Sequence, residues 1–315
     1  MLTFLARRIL VLLATLFAAS LVIFVVLDLL PGDPALLILG LEARDDTLAA
    51  LRAQMGVDRP APVRYLAWIG GMLSGTGGVS HTYAVPVFEL ISERLAVTVP
   101  LALIALALST LLAVPLGMFA AVRRGRWGDY GVMGFSQIGM AIPNFWFGIL
   151  AILFFAVFLG WFPAAGFPGW DAGLGVALWA LVLPALSLAL PEAAILARVT
   201  RASVLETLGA DYVRTARAKG LGEQRVLWGH VLRNALIPMT TILGLQFAFL
   251  LAGSIVIESV FSLPGLGRLI FQAVSQRDLV VVRDVVLLLV AFVVLVNFLV
   301  DIAYAVIDPR VRRAA

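Results

Sequence analysis

Six long runs without a charged residue dominate the chain: Ile9–Leu27, Leu95–Val122, Gly131–Trp170, Ala172–Pro191, Asn234–Ile257 and Val285–Val300. A spanning helix needs about 20 apolar residues, because an unpaired backbone group or charge in hydrocarbon costs several kcal/mol. The last run is short at 16 residues. Leu279–Val282 and Ile302–Ile307 can lengthen it past Arg283, Asp284 and Asp301. The pattern predicts an all-α, polytopic bundle of about six spans: Ile9–Leu30, Ala96–Val122, Gly131–Leu159, Gly173–Ala197, Leu236–Ile257 and Val281–Val306.

The polar punctuation divides the chain into 1–30 (tail and first helix), 31–94 (external segment) and 95–315 (five-helix core). The core includes a cytoplasmic loop at 198–233. Pro31-Gly-Asp-Pro34 is a turn cluster that stops the first span. In the external segment, Asp45 or Asp46 can cap a short helix with Leu48, Leu51 and Met55 on one face and Gly56 after its end. Pro100, Pro115, Pro143, Pro184 and Pro191 fall inside spans and predict kinks. Ser262-Leu-Pro-Gly-Leu-Gly267 reads as a turn before a short apolar helix around Leu269–Val274.

The cytoplasmic link carries a different pattern. Leu205, Leu208, Tyr212, Val213 and Ala216 recur at helical spacing, with Arg214, Arg217 and Lys219 on other faces. Gly220 breaks that helix behind a cation suited to its C-terminal dipole. A second helix can start at Gly222-Glu223 and run toward Pro238. The result is a helix, a glycine hinge and a helix on the inner membrane face, suited either to a partner protein or to lipid headgroups.

Composition supports the membrane reading. Hydrophobic residues make up 62 % of the 315 residues and charged ones 13 %, and mean hydropathy is +1.04. So much apolar surface cannot be hidden inside one soluble domain. The net charge of +4 and pI near 9.9 are not a nucleic-acid signature, because 15 of the 23 basic residues flank span ends on one side. These are Arg7 and Arg8, the Arg123–Arg126 cluster, the 198–233 loop and Arg310–Arg313. Positive residues stay inside, so that side and both termini are cytoplasmic. The basic start and apolar run resemble a signal peptide, but no small-residue cleavage site follows, and an uncleaved first helix is expected.

Chemical motifs are sparse. A phosphate-binding loop ends in Gly-Lys-Ser/Thr, whereas the single lysine, Lys219, precedes Gly220. No nucleotide site of that type exists in the chain. The two histidines, His81 and His230, fall on opposite sides of the membrane, and cysteine is absent, so no metal site and no catalytic residue is predicted. Asp28, Asp301 and Glu258 lie near span ends, and Glu192 is placed to meet Arg198. Polar or small positions inside spans, Asn144, Gln246 and Gly253, are pore candidates, with Glu258 at their outer end.

Tyr212-Val-Arg-Thr-Ala-Arg-Ala-Lys-Gly220 with Arg233-Asn-Ala-Leu-Ile-Pro238 resembles the EAA loop of binding-protein-dependent ABC importer permeases. The dipeptide/oligopeptide branch is the nearest form. Other stretches resemble it in order: Leu29–Ala35, Arg59–Tyr65, Ala141–Gly148, Val260–Gly267 and Asp308–Arg310. The Glu-Ala-Ala triplet of the general pattern falls on Arg214-Thr-Ala216, where only the last alanine matches.

The resemblance implies a type I permease fold and a non-catalytic subunit in a bacterial or archaeal plasma membrane. It implies partners: a second homologous permease, cytoplasmic ATPase subunits holding ATP and Mg²⁺, and an external binding protein seated on a floor that includes 31–94. Tyr212, Arg214, Thr215, Ala216, Arg217, Ala218, Lys219, Gly220 and Leu221 would couple to the ATPase. Peptides would be the solutes, with glutathione-like compounds and nickel chelates handled by relatives. A gradient-driven carrier is the rival reading, and it would need no ATPase.

Overall fold

The computed structural model describes residues 2–28, 36, 44–56 and 58–307. The Pro31–Pro34 turn, and the motifs at 29–35 and 308–310, lie outside the described residues. Among those described, the chain is helical and carries no strand, only an isolated bridge between Val79 and Pro86.

The helices are α1 (Leu2–Asp28), α2 (Asp45–Met55), α3 (Ala61–Ser74), α4 (Val87–Val122), α5 (Trp127–Ala141), α6 (Asn144–Ala151), α7 (Leu174–Leu208), α8 (Asp211–Ala218), α9 (Glu223–Arg225), α10 (Leu232–Val260), α11 (Leu266–Ser275) and α12 (Leu279–Ile307). π-helical turns extend α6 over Ile152–Phe158 and join α9 to α10 over Val226–Val231. Among the described residues, α1, α4, α7, α10 and α12 are long and apolar enough to cross a bilayer, and α5 with α6 makes a sixth if the bent pair is one span.

That third crossing is not the kinked helix that the sequence predicts. It bends by 98° between Ala141 and Asn144. Pro143 offers no N–H to the preceding turn, and Ile142 before it is extended (φ −90°, ψ 122°), as the pre-proline clash demands. The pair still makes one crossing. α5 leaves the basic Arg123–Arg126 turn, and α7 must begin on the opposite face to return 198–233 to the basic side.

α4 and α7 are parallel neighbours and form the spine of the bundle. Val97, Leu101 and Ala105 share one cluster with Leu181, Ala185 and Leu188 near the outer half. At the inner end a Cβ on Gly117 would meet Thr200 Cβ and the Ala197 carbonyl, so glycine sets the distance between the two helices. α10 returns across both. α12 packs on α10 and carries α1 on its outer side, bridged at the inner end by Arg8–Asp301 at 2.7 Å.

In the external segment α2 forms as the pattern predicts, with Gly56 left-handed after its last turn. Arg44, rather than Asp45 or Asp46, occupies its N-cap, and Leu48 is buried. The side chains of Leu51 and Met55 lie outside the described residues. The turn at 262–267 and the helix behind it form as α11.

Candidate functional site: a cytoplasmic coupling surface and a polar track beneath it

α7 does not stop at the membrane. It continues as one helix of 35 residues to Leu208, so the inner third of the 198–233 link is a rigid stalk. The single helix expected from Leu205 to Ala216 is two, because the chain turns at Gly209 and Ala210 is extended (φ −73°, ψ 145°). α8 then starts at Asp211.

α8 is amphipathic, and its two faces have separate uses. Val213 and Ala216 are buried against Met118, Val204, Val226 and Val231. Tyr212, Arg214, Thr215, Ala218 and Lys219 are exposed on the opposite side. Partial burial holds the Tyr212 phenol above its ordinary pKa. Ala216 therefore faces the bundle and not a cytoplasmic partner.

The hinge is a closed turn. Gly220 is left-handed (φ +79°), its N–H bonds the Arg217 carbonyl at 2.9 Å, and the Leu221 N–H bonds the Ala216 carbonyl at 3.3 Å. This double bond pattern satisfies the last carbonyls of α8 and returns Leu221 to the same cluster as Ala216. Arg217, though exposed, reaches across the hinge. Its Nε and Nη2 donate to Glu223 Oε1 and Oε2 at 2.8 and 3.2 Å, a fork that ties α8 to α9.

A second fork fixes the stalk. Arg201 on α7 donates through Nε and Nη2 to Asp129 of α5 at 2.5 and 2.7 Å, and the Gly125 N–H adds a third bond to that carboxylate at 2.9 Å. Asp129 is buried. Along the chain this pair is marked only by a lone acid after three arginines. Arg198, expected to meet Glu192, instead donates to Gln137 Oε1 at 2.8 Å, and Glu192 Oε2 meets no protein donor.

Within the membrane the predicted pore positions fall into two groups. Asn144 opens α6 immediately after the break, and a Cβ on Gly253 would lie 2.8 Å from its Nδ2 and 3.2 Å from Leu188 Cδ2. Gln246, two turns inward on α10, donates through Nε2 to the Glu192 carbonyl at 2.7 Å and is buried, with its Oε1 unpaired among protein groups. Asn144, Gly253, Leu188, Glu192 and Gln246 thus form a track where α6, α7 and α10 meet.

Glu258 does not extend that track. Its side chain is 0 % exposed and fully committed: Thr98 donates at 2.6 Å, and the Gly267 and Arg268 N–H groups donate at 2.7 and 3.2 Å. An anion at the start of α11 satisfies the orphan N–H groups of its first turn. Gly265 and Gly267 leave room for it, since a Cβ on either would press on the carboxylate. The expectation of a path-lining Glu258 is corrected to a carboxylate that holds α11 on α4 and α10.

Two further buried acids, Asp278 and Asp284, do the same for the outer surface. Asp278 accepts from Ser80 Oγ at 2.6 Å and from the Thr82 N–H at 3.1 Å. Asp284 accepts from the Trp68 indole at 2.7 Å, with Arg283 over that ring at 4.7 Å. Segment 61–86 is thereby bolted to α12.

These features define a polytopic membrane protein with a projecting cytoplasmic helix. The chain belongs to the binding-protein-dependent transport system inner membrane component family, whose description matches residues 113–313, while the N-terminal component of such systems matches residues 1–102. Among individual proteins, a peptide transport system permease of Brucella abortus (strain 2308) is 46 % identical over 290 residues, covering 92 % of each chain. The glutathione transport system permease GsiC of Salmonella choleraesuis (strain SC-B67) is 41 % identical over 312 residues, covering 99 % of each. A chain of the inward-facing MetNI methionine ABC transporter shares the fold, with TM-score 0.59 and 20 % identity over 70 % of this chain and 96 % of that one. The fold is that of a type I ABC importer permease.

Proposed function

We propose that this chain is the permease subunit of an ATP-driven importer for peptides or peptide-like solutes such as glutathione, in a bacterial inner membrane. The observation that carries the reading is α8. An amphipathic helix with Tyr212, Arg214, Thr215, Ala218 and Lys219 facing the cytoplasm sits on the end of an unbroken membrane helix, closed by a left-handed Gly220. A surface so placed can pass motion between a cytoplasmic ATPase and the bundle, whereas a gradient-driven carrier has no use for it.

In this reading separate ATPase subunits hold ATP and Mg²⁺ and grip the exposed face of α8. A second permease completes the pore, and an external binding protein delivers the solute. Val213, Ala216 and Leu221 anchor the helix to α4 and α7, and Arg217 keeps the hinge closed through Glu223. The solute passes Asn144, Gly253 and Gln246, where the break at Ile142–Pro143 and the missing N–H of Pro191 leave backbone carbonyls without a helical partner.

The test is Gly220→Val. A β-branched residue at φ +79° costs about 1–3 kcal/mol locally. The assembled variant is expected to keep ATP hydrolysis and lose most peptide uptake. Uptake per ATP equal to that of the native complex would overturn the coupling role.

A further inference from the structure

α3 is apolar on both faces. Inward, Tyr65, Trp68, Ile69 and Met72 pack with Phe24 and Leu287. Outward, Val63, Leu66, Ala67, Gly70 and Leu73 are exposed, Leu66 at 68 % and Leu73 at 85 %. A helix washed by water on one side carries polar residues there. α2, in the same external segment, does so, with Asp45, Asp46 and Thr47 exposed. Between Arg64 and Glu89 the sequence holds no Asp, Glu, Lys or Arg.

The depth of α3 says what covers it. The charge-free run of α1, Ile9–Leu27, has 19 residues. It rises about 28 Å, close to the ~30 Å of a bilayer core, which puts the outer hydrocarbon boundary near Asp28. Arg64, in the first turn of α3, pairs with Asp28 at 2.7 Å. The Tyr65 hydroxyl shares a 2.8 Å hydrogen bond with Ser20 Oγ. Ser20 lies about 12 Å below Asp28 along the axis of α1. α3 is therefore tied to α1 twice, at the boundary through Arg64 and within the outer half of the hydrocarbon through Tyr65. Its outward face continues the exposed apolar surface of α1 at Phe17, Val22 and Val26.

We propose that α3 is a helix embedded in the outer leaflet whose outward face, from Val63 to Leu73, is covered by the acyl chains of outer-leaflet lipid. The inference rests on α1 and α12 crossing the bilayer and not on the transport reading. It leaves α2, the 79–86 turn and α11 as the external surface open to a soluble partner.

The chain has no cysteine, so single probes can be placed without background. Leu66→Cys, Leu73→Cys and, as a water-facing control on α2, Ala53→Cys would each carry a bimane label. The complex is used as it purifies from its own membrane, returned to liposomes. Lipids spin-labelled high on the acyl chain should quench the labels at 66 and 73 several-fold more than that at 53, and aqueous iodide several-fold less. Iodide quenching equal to that at 53 would overturn the proposal in favour of water or a soluble partner. Protection from both quenchers would overturn it in favour of a protein subunit. Val63→Cys repeats the test should either leucine variant fail to assemble.

Discussion

A carboxylate with no exposure persists at the edge of a bilayer only where donors surround it. Glu258 meets that condition through Thr98 and the first N–H groups of α11, so its replacement acts on stability before it acts on transport. Glu258→Ala strands three donors and should cost about 3 kcal/mol, while Glu258→Gln keeps an acceptor and should cost roughly half that. Thermal unfolding of the purified complex checks the order. Solute preference should be unchanged in both variants. A changed preference at unchanged stability would return Glu258 to the solute path. The sequence showed an acid near a span end; its partners were hidden because Thr98 is 160 residues away in the chain.

At the scale of elements, local rules carried far. Among the described residues, charge-free runs located the five long apolar helices and the bent α5–α6 pair, and Gly56 and Gly220 marked helix ends at which a left-handed residue is required. Two elements differ for physical reasons. The bend at Pro143 reaches 98° because Ile142 leaves the helix as well, whereas a proline with a helical predecessor only kinks. The link at 198–233 divides at Gly209–Ala210, though apolar spacing runs straight through it, since periodicity does not register an interruption that keeps the same face buried.

The Arg217–Glu223 fork is also an element-scale device. The pair is exposed and contributes little to global stability, yet it spans the hinge. Arg217→Glu should place like charges across the turn and lower uptake per ATP, with ATP hydrolysis retained. Adding Glu223→Arg should restore most of the ratio. Failure of the double variant to recover would mean that Arg217 meets the ATPase directly.

Across the whole molecule, buried acids bolt the outer surface to α12 and α4, and buried apolar side chains seat α8 on the inner ends of α4 and α7. The membrane core between them is mostly small and aliphatic, and polar side chains gather where α6, α7 and α10 meet. Motion at α8 can therefore reach the track at Asn144, Gly253 and Gln246 through the continuous α7. The fold class was legible because lipid allows so few backbone solutions. The track was only partly legible: Asn144, Gln246 and Gly253 stand out as polar or small in apolar runs, but Glu192 joins them through its backbone carbonyl, which no side-chain pattern reveals.

On the proposed function, this chain moves solute only when a separate ATPase drives it. The direct measurement is peptide uptake into liposomes holding the complex purified from its native membrane, with ATP present or absent and with the proton gradient collapsed. A second permease and ATPase subunits are expected to co-purify, and uptake is expected to require ATP and to survive loss of the gradient. Uptake by the chain alone, abolished with the gradient and indifferent to ATP, would contradict it.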